Sequence, residues 1–178
     1  MKIPVSWLRE LAPTDASLDE LMAVLSELGL PVESVTPIGE DLTGVVVAEV
    51  VEIDRIEGAD KIRRVMVDTG GDELTQVVCG AWNFDVGAIV PFATVGTVLP
   101  GDFKIGTRKM KGVQSSGMIC ASDELGLPGG DHSGIMLLPE GLPLGADFSE
   151  AMGITPDVVI ELEINANRPD AMSVVGVA

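Results

Sequence analysis

A mainly β chain with a few helices, built on a small barrel or sandwich, is the fold class the sequence predicts. Two observations carry this reading. Short β-branched runs punctuated by Gly, Pro and Asp fill residues 43 to about 139, and an amphipathic helix stands before them at 17–28. A third observation bounds it: no apolar run approaches the ~20 residues of a membrane span. With 178 residues, 46% hydrophobic and 22% charged, the chain is globular rather than disordered. A chain of this length buries roughly 70% of its unfolded surface, enough for one or two compact domains.

The elements follow in order. VSWLREL predicts a short helix opened by Ser6. SLDELMAVLSEL carries a capping box, Ser17 with Glu20, and places Leu18, Leu21, Met22, Leu25 and Leu28 at helical spacing before Gly29. PVESVTPI alternates as a strand does, and TGVVVAEVVEIDRI is a long β-branched strand. IRRVMVD and ELTQVVC flank Thr69-Gly70-Gly71-Asp72, a hairpin turn. AIVPFATV and GIMLLP read as further strands, with Pro91 favouring an edge or a bulge. VVIELEI, residues 158–164, is a strand, and NANRPDAMSVVGVA a loop leading into a helix near Pro169 or Asp170. That helix is cut off at Ala178, as expected of a piece of a longer protein.

The opening MKIPVSWLRELAPTD has no apolar block or small-residue cleavage site, so no signal peptide is read there and a soluble, cytoplasmic protein is expected. Cys79 and Cys120 lie far apart without CxxC spacing, and the chain has one His, so neither a disulfide framework nor a zinc site is expected. Both read as buried apolar thiols. GGDHSG lacks the spacing and lysine of a phosphate-cradling loop. His132, between Asp131 and Ser133, reads as a loop-fixing hydrogen bonder, because sequence neighbours in extended chain point apart and cannot form a relay. Carboxylate pairs such as Asp123 with Glu124 or Glu161 with Glu163 read as solvated faces. No catalytic site and no metal site is expected.

Charge is unevenly spread. The net charge is −17, yet residues 86–122 hold Lys104, Arg108, Lys109 and Lys111 against the single acid Asp102. Acidic bulk disfavours nucleic acid, since affinity for phosphate comes mainly from Lys and Arg, but a local patch can still bind. KIGTRKMKGVQSSGMICAS joins alternating basic residues, which on a strand project cations to one side, with Gly112 and Gly117, where backbone can approach a ligand. Ser115 and Ser116 add hydroxyls that reach phosphate or a 2′-OH. Trp82 and Phe84 are the nearest stacking candidates, or else a core plug and its neighbour. The same charges would also serve as a plain solvated face.

GADKIRRVMVDTG, VVCGAWN, GAIVPFATVGTVLPG and KMKGVQSSGMICAS, in this order and spacing, resemble the EMAP-II-like tRNA-binding domain, an OB-fold module. The flanks MKIPVSWLRELAP, LDELMAVLSELGLPVESV and LEINANRPDAMSVVGVA resemble the opening of bacterial phenylalanine–tRNA ligase beta subunits. The resemblance implies a five-stranded OB-fold barrel, residues 39–150, inserted into a small discontinuous α+β domain made of 1–38 and 151–178. It implies an αβ heterotetramer that joins phenylalanine to its tRNA with ATP and Mg²⁺, with both catalytic and editing sites elsewhere. The partners it implies are tRNA, the alpha subunit and the remainder of beta. Lys104, Arg108, Lys109 and Lys111 would touch phosphate, and Asn83, Ser115 and Ser116 would supply polar contacts.

Two departures bear on this. Ile56, Glu57 and Gly58 stand where the family commonly has His-Pro-Asn, placing an acid near Lys61, Arg63 and Arg64 and questioning their share in RNA binding. Asn165 and Ala166 precede Asn167-Arg168-Pro169-Asp170 where Thr-Pro is common, while Arg168 is kept for pairing with a local carboxylate. Three functions remain open: an RNA-binding module, a brace for subunit assembly, and a free-standing tRNA-binding or chaperone-like protein.

Overall fold

The computed structural model describes residues 1–39, 42–127 and 134–178. The first elements are β1 (Lys2–Pro4), α1 (Val5–Leu11), α2 (Leu18–Glu27) and β2 (Val32–Ile38). The chain continues through β3 (Val45–Arg55), β4 (Arg63–Asp68), β5 (Thr75–Cys79), β6 (Ile89–Ala93), β7 (Val98–Leu99) and β8 (Phe103–Lys104). Next come β9 (Thr107–Met110), β10 (Val113–Ser116), β11 (Met118–Ile119), α3 (Phe148–Met152) and β12 (Asp157–Leu162). A 3-10 turn, Pro169–Ala171, and α4 (Val174–Val177) complete it. Two compact units result, Met1–Ile38 with Pro156–Ala178, and Gly39–Thr155. The second crossing falls a few residues past the 150/151 boundary expected from sequence, because Phe148, Ala151, Met152 and Ile154 pack into the core of the second unit.

In the first unit an antiparallel sheet of order β1-β12-β2 carries the helices. Ile3, Val5, Leu8, Leu21, Leu25, Leu30, Ile160 and Leu162 form its core. The capping box on α2 is made as expected: Glu20 N–H donates to Ser17 Oγ at 3.3 Å and Ser17 N–H to the Glu20 carboxylate at 2.8 Å. Leu28 does not join the buried stripe; the helix ends at Glu27, and Leu28, its C-cap, is exposed. Ser6 does not open α1. That helix starts at Val5, and Ser6 donates both its N–H (3.2 Å) and its hydroxyl (2.6 Å) to Asp157. The cap is thus a carboxylate from β12, which local sequence does not disclose.

The second unit is a nearly closed five-stranded barrel of OB-fold type. Strands run β11-β6-β3-β4-β5, all antiparallel, with a bulge in β3 between Val50 and Glu52. One core cluster includes Ala48, Val50, Val65, Val67, Val77 and Phe92. A second, with Val45, Val47, Leu99, Cys120, Leu125 and Phe148, is shared with the connecting segments and α3. Both cysteines are buried, and burial pushes the Cys120 thiol up to about 12.

Pro91 sits in an interior strand, between β3 and β11, and not at an edge or bulge. It fits because its missing N–H faces Cys120. Cys120 N–H donates to Pro91 O at 3.0 Å, and the Cys120 carbonyl, which a donor at 91 would have used, accepts from Met136 N–H at 3.0 Å. GIMLLP, expected as a strand, is irregular chain instead, and its Met136 and Leu138 N–H groups bond to Cys120 and Ile89.

Closure between β5 and β10 uses side chains. Val78 N–H donates to Ser115 Oγ at 3.0 Å, and Gln76 Nε2 to Gln114 O at 2.8 Å. Gly117, with φ 130°, joins β10 to β11; a Cβ there would overlap the Phe92 ring.

Candidate nucleic-acid interface

The basic run forms the hairpin β9–β10 and the short strand β8 before it. Lys111 and Gly112 make the turn, both with left-handed backbone (φ 48° and 84°), the geometry of a two-residue type I′ hairpin. A glycine in the second place is what that turn requires, and Lys111 is thereby held at the tip. Register sets Lys109 opposite Gln114 and Arg108 opposite Ser115. Successive strand residues face opposite ways, so the cations do not share one side, as the alternation suggested. Arg108 lines a cleft with Phe103, Lys104, Met110 and Ser115, whereas Lys109 lies on the other face.

Lys104, Arg108, Lys109 and Lys111 are all exposed. None makes an ion pair or side-chain hydrogen bond with any described residue. Their charge is therefore uncompensated locally, in a chain with 28 acids. Such a group of cations attracts anions through its field.

The basic residues of β4 are used differently. Arg63 is 7% exposed, and its guanidinium lies over the rings of Trp82 (4.5 Å) and Phe84 (4.6 Å) while donating to Ala81 O at 2.8 Å. Arg64 donates to Asp54 and, at 2.6 Å, to Glu52, with Gln76 Oε1 at 3.3 Å. The hydrogen bonds from Arg64 hold the Asp54 carboxyl below its usual range. Neither arginine is available to a phosphate without giving up these partners. Lys61 alone in this group is exposed and unpartnered among the described residues.

The expected polar contacts divide in the same way. Ser115 is buried, with its hydroxyl accepting from Val78 N–H and donating to Gly117 O, so it closes the barrel. Asn83 is consumed by both backbone groups of Ile135, at 2.9 and 3.0 Å. Ser116 is half-buried and, among the described residues, its hydroxyl accepts only from Gln114 Nε2 at 3.2 Å. Phe84 is core; Trp82 is about half exposed, resting on Arg63.

Phe103 is the residue that the sequence reading passed over. It is 44% exposed and lies beside Lys104, with the Arg108 guanidinium 5.8 Å from its ring centre. The signal was its place directly after Pro100-Gly101-Asp102, a turn in which Gly101 and Asp102 both have positive φ, so that the ring emerges at a hairpin end.

Among the described residues no cluster of three His, Cys, Asp or Glu is placed to hold a metal. His132, Asp131 and Ser133 lie outside the described residues. Among the described residues no helix is long and apolar enough to cross a membrane. Glu124 accepts from Ala121 N–H, a local contact, and Glu161 pairs loosely with Lys2 at 4.0 Å across β1 and β12. Arg168 grips Asp170 through Nε and Nη2 and donates to Leu28 O at 2.7 Å, tying off the end of α2.

Comparison with known proteins adds to this geometry. The phenylalanine–tRNA ligase beta subunit of Bordetella bronchiseptica is 46% identical over all 178 residues, which cover 22% of that protein. That of Fusobacterium nucleatum subsp. nucleatum is 39% identical with the same coverage. The chain thus spans about a fifth of the length of these curated relatives. A solved structure, the MetRS related protein from Pyrococcus horikoshii, overlaps at a TM-score of 0.43 and 22% identity, covering 57% of this chain and 85% of that one. Residues 45–147, from the first residue of β3 to the cap of α3, match the family described as "Putative tRNA binding domain". By that match, which takes in the whole barrel and the basic hairpin, the chain belongs to the family of tRNA-binding domains.

Proposed function

We propose that the chain is a non-catalytic RNA-binding module of a phenylalanine–tRNA ligase beta subunit, and that it meets tRNA through the β9–β10 hairpin. The observation that carries this is the set of four exposed cations, Lys104, Arg108, Lys109 and Lys111, none in an ion pair or side-chain hydrogen bond with a described residue. Phosphate contacts from such residues position a nucleic acid without reading its sequence. Lys61 and the Ser116 hydroxyl complete the contact surface, while Ser115, Asn83, Arg63 and Arg64 serve the fold.

The likeness to the ligase subunits extends over residues 1–178, beyond the family's 45–147, and so includes the discontinuous α+β unit. This supports a place in a larger cytoplasmic assembly of alpha and beta subunits over a free-standing barrel protein. ATP and Mg²⁺ would be substrate and metal of that assembly's ligation step. What this chain does is bind and orient.

A second reading, bracing of the assembly, is favoured by one observation: Trp7, Leu11, Val24 and Leu28 on α1 and α2 are large, apolar and half or more exposed. The two readings concern different units and are separable. Fluorescence anisotropy of labelled phenylalanine tRNA, titrated with the chain and with a Lys109→Glu, Lys111→Glu variant, separates them. The RNA reading expects salt-sensitive binding that the double reversal weakens at least about tenfold. A folded chain with no affinity even at low salt contradicts it and leaves bracing.

A further inference from the structure

The geometry points to a single unpaired RNA base stacking on Phe103, in the cleft between the β7–β8 and β9–β10 hairpins. This rests on the RNA-binding reading and adds to it a base-contacting residue. Three features of the cleft argue for it.

The first is exposure. Phe103 is one of four phenylalanines in a chain without tyrosine, and it leaves nearly half its surface in water at the end of a hairpin. Nothing in the second unit's two core clusters uses it. The second is the lining. Val78, Ile105, Met110 and Met118 give the cleft an apolar floor, and Lys104 and Arg108 stand on its rim. Its volume is about 120 Å³, somewhat under the ~150 Å³ that holds a benzene ring when fully enclosed. A planar base can therefore insert partway, its sugar and phosphate remaining outside among the cations.

The third is a contrast with the protein's other arginine–aromatic arrangement. Arg63 lies 4.5 and 4.6 Å from two rings and is fixed by backbone carbonyls. Arg108 lies 5.8 Å from Phe103 and hydrogen-bonds to no described residue, so it can swing to a phosphate and uncover the ring at little cost. Every base has a π-face, so this contact distinguishes single strand from duplex and carries little sequence preference.

The test uses the 178-residue chain with a 2-aminopurine-labelled single-stranded oligoribonucleotide and a fully paired duplex. The expected result is quenching of the base analogue and a loss of single-strand affinity of about fivefold or more in Phe103→Ala. Duplex affinity and the salt slope would stay unchanged, since a phenyl ring contacts no phosphate. Phe103→Trp, which keeps a π-face, restores binding, while Phe103→Leu, which keeps apolar volume alone, does not; both guard against misfolding as the cause. Equal single-strand affinity in wild type, Phe103→Ala and Phe103→Leu overturns the stacking contact while the hairpin's phosphate role stands. Absence of salt-dependent binding to either RNA by the wild type overturns both.

Discussion

The β9–β10 hairpin and strand β4 each carry consecutive cations, Arg108-Lys109 and Arg63-Arg64, and the protein uses them in opposite ways. On β4, one guanidinium is buried between two rings and the other is held by two carboxylates. On the hairpin, each cation is exposed and makes no ion pair or side-chain hydrogen bond with a described residue, Arg108 only approaching the Phe103 ring at 5.8 Å. Residue type does not separate the two pairs. Neighbours do: β4 lies beside β3 with Glu52 and Asp54, whereas the hairpin's cross-strand residues are Gln114 and Ser115. A positive charge is a binding feature only where the fold has left it uncompensated.

The strongest way to break this comparison is Arg63→Ala. It removes a buried cation from two rings and strands the Ala81 and Phe84 carbonyls, at a cost of about 3 kcal/mol, seen as a fall in Tm of about 6–12 °C. Arg63→Met should cost less, because it refills the volume, and because Arg63 Nε has no partner among the described residues, so part of the arginine's gain is already offset. Denaturant unfolding checks both. RNA affinity of the folded fraction should stay within about twofold, as the Arg63 guanidinium is buried against Trp82 and Phe84; a large loss of affinity in a stable variant would erase the distinction between the two strands.

A smaller effect sharpens it from the serine side. Ser115→Ala leaves Val78 N–H without its acceptor at the barrel seam, for about 1–2 kcal/mol of stability. Ser116→Ala, half-buried with one exposed contact, should change stability by under about 0.5 kcal/mol. Equal costs would mean that Ser115 does not close the barrel.

Much of the architecture was legible locally. The α2 capping box, the β-branched runs of β3 to β6 and the thiol burial follow from spacing and residue type. What stayed hidden depends on contacts distant in sequence. Pro91 fits an interior strand only because Met136 satisfies Cys120 O; Ser115 is structural only because Val78 lies beside it; α1 is capped by Asp157, 151 residues from Ser6. The site divides likewise. The acid-free run marked the four exposed cations, but Arg63, Arg64, Asn83 and Ser115 look no different from them as letters. Phe103 escaped attention because an aromatic in a chain so poor in them is read first as core.

The most direct test of the central claim is the slope of log K against log salt for phenylalanine tRNA. Four phosphate contacts to a single-stranded region predict about −3, falling to about −1.4 when Lys109 and Lys111 are both changed to Ala. A wild-type slope near zero, or one that the double change leaves untouched, would contradict the account.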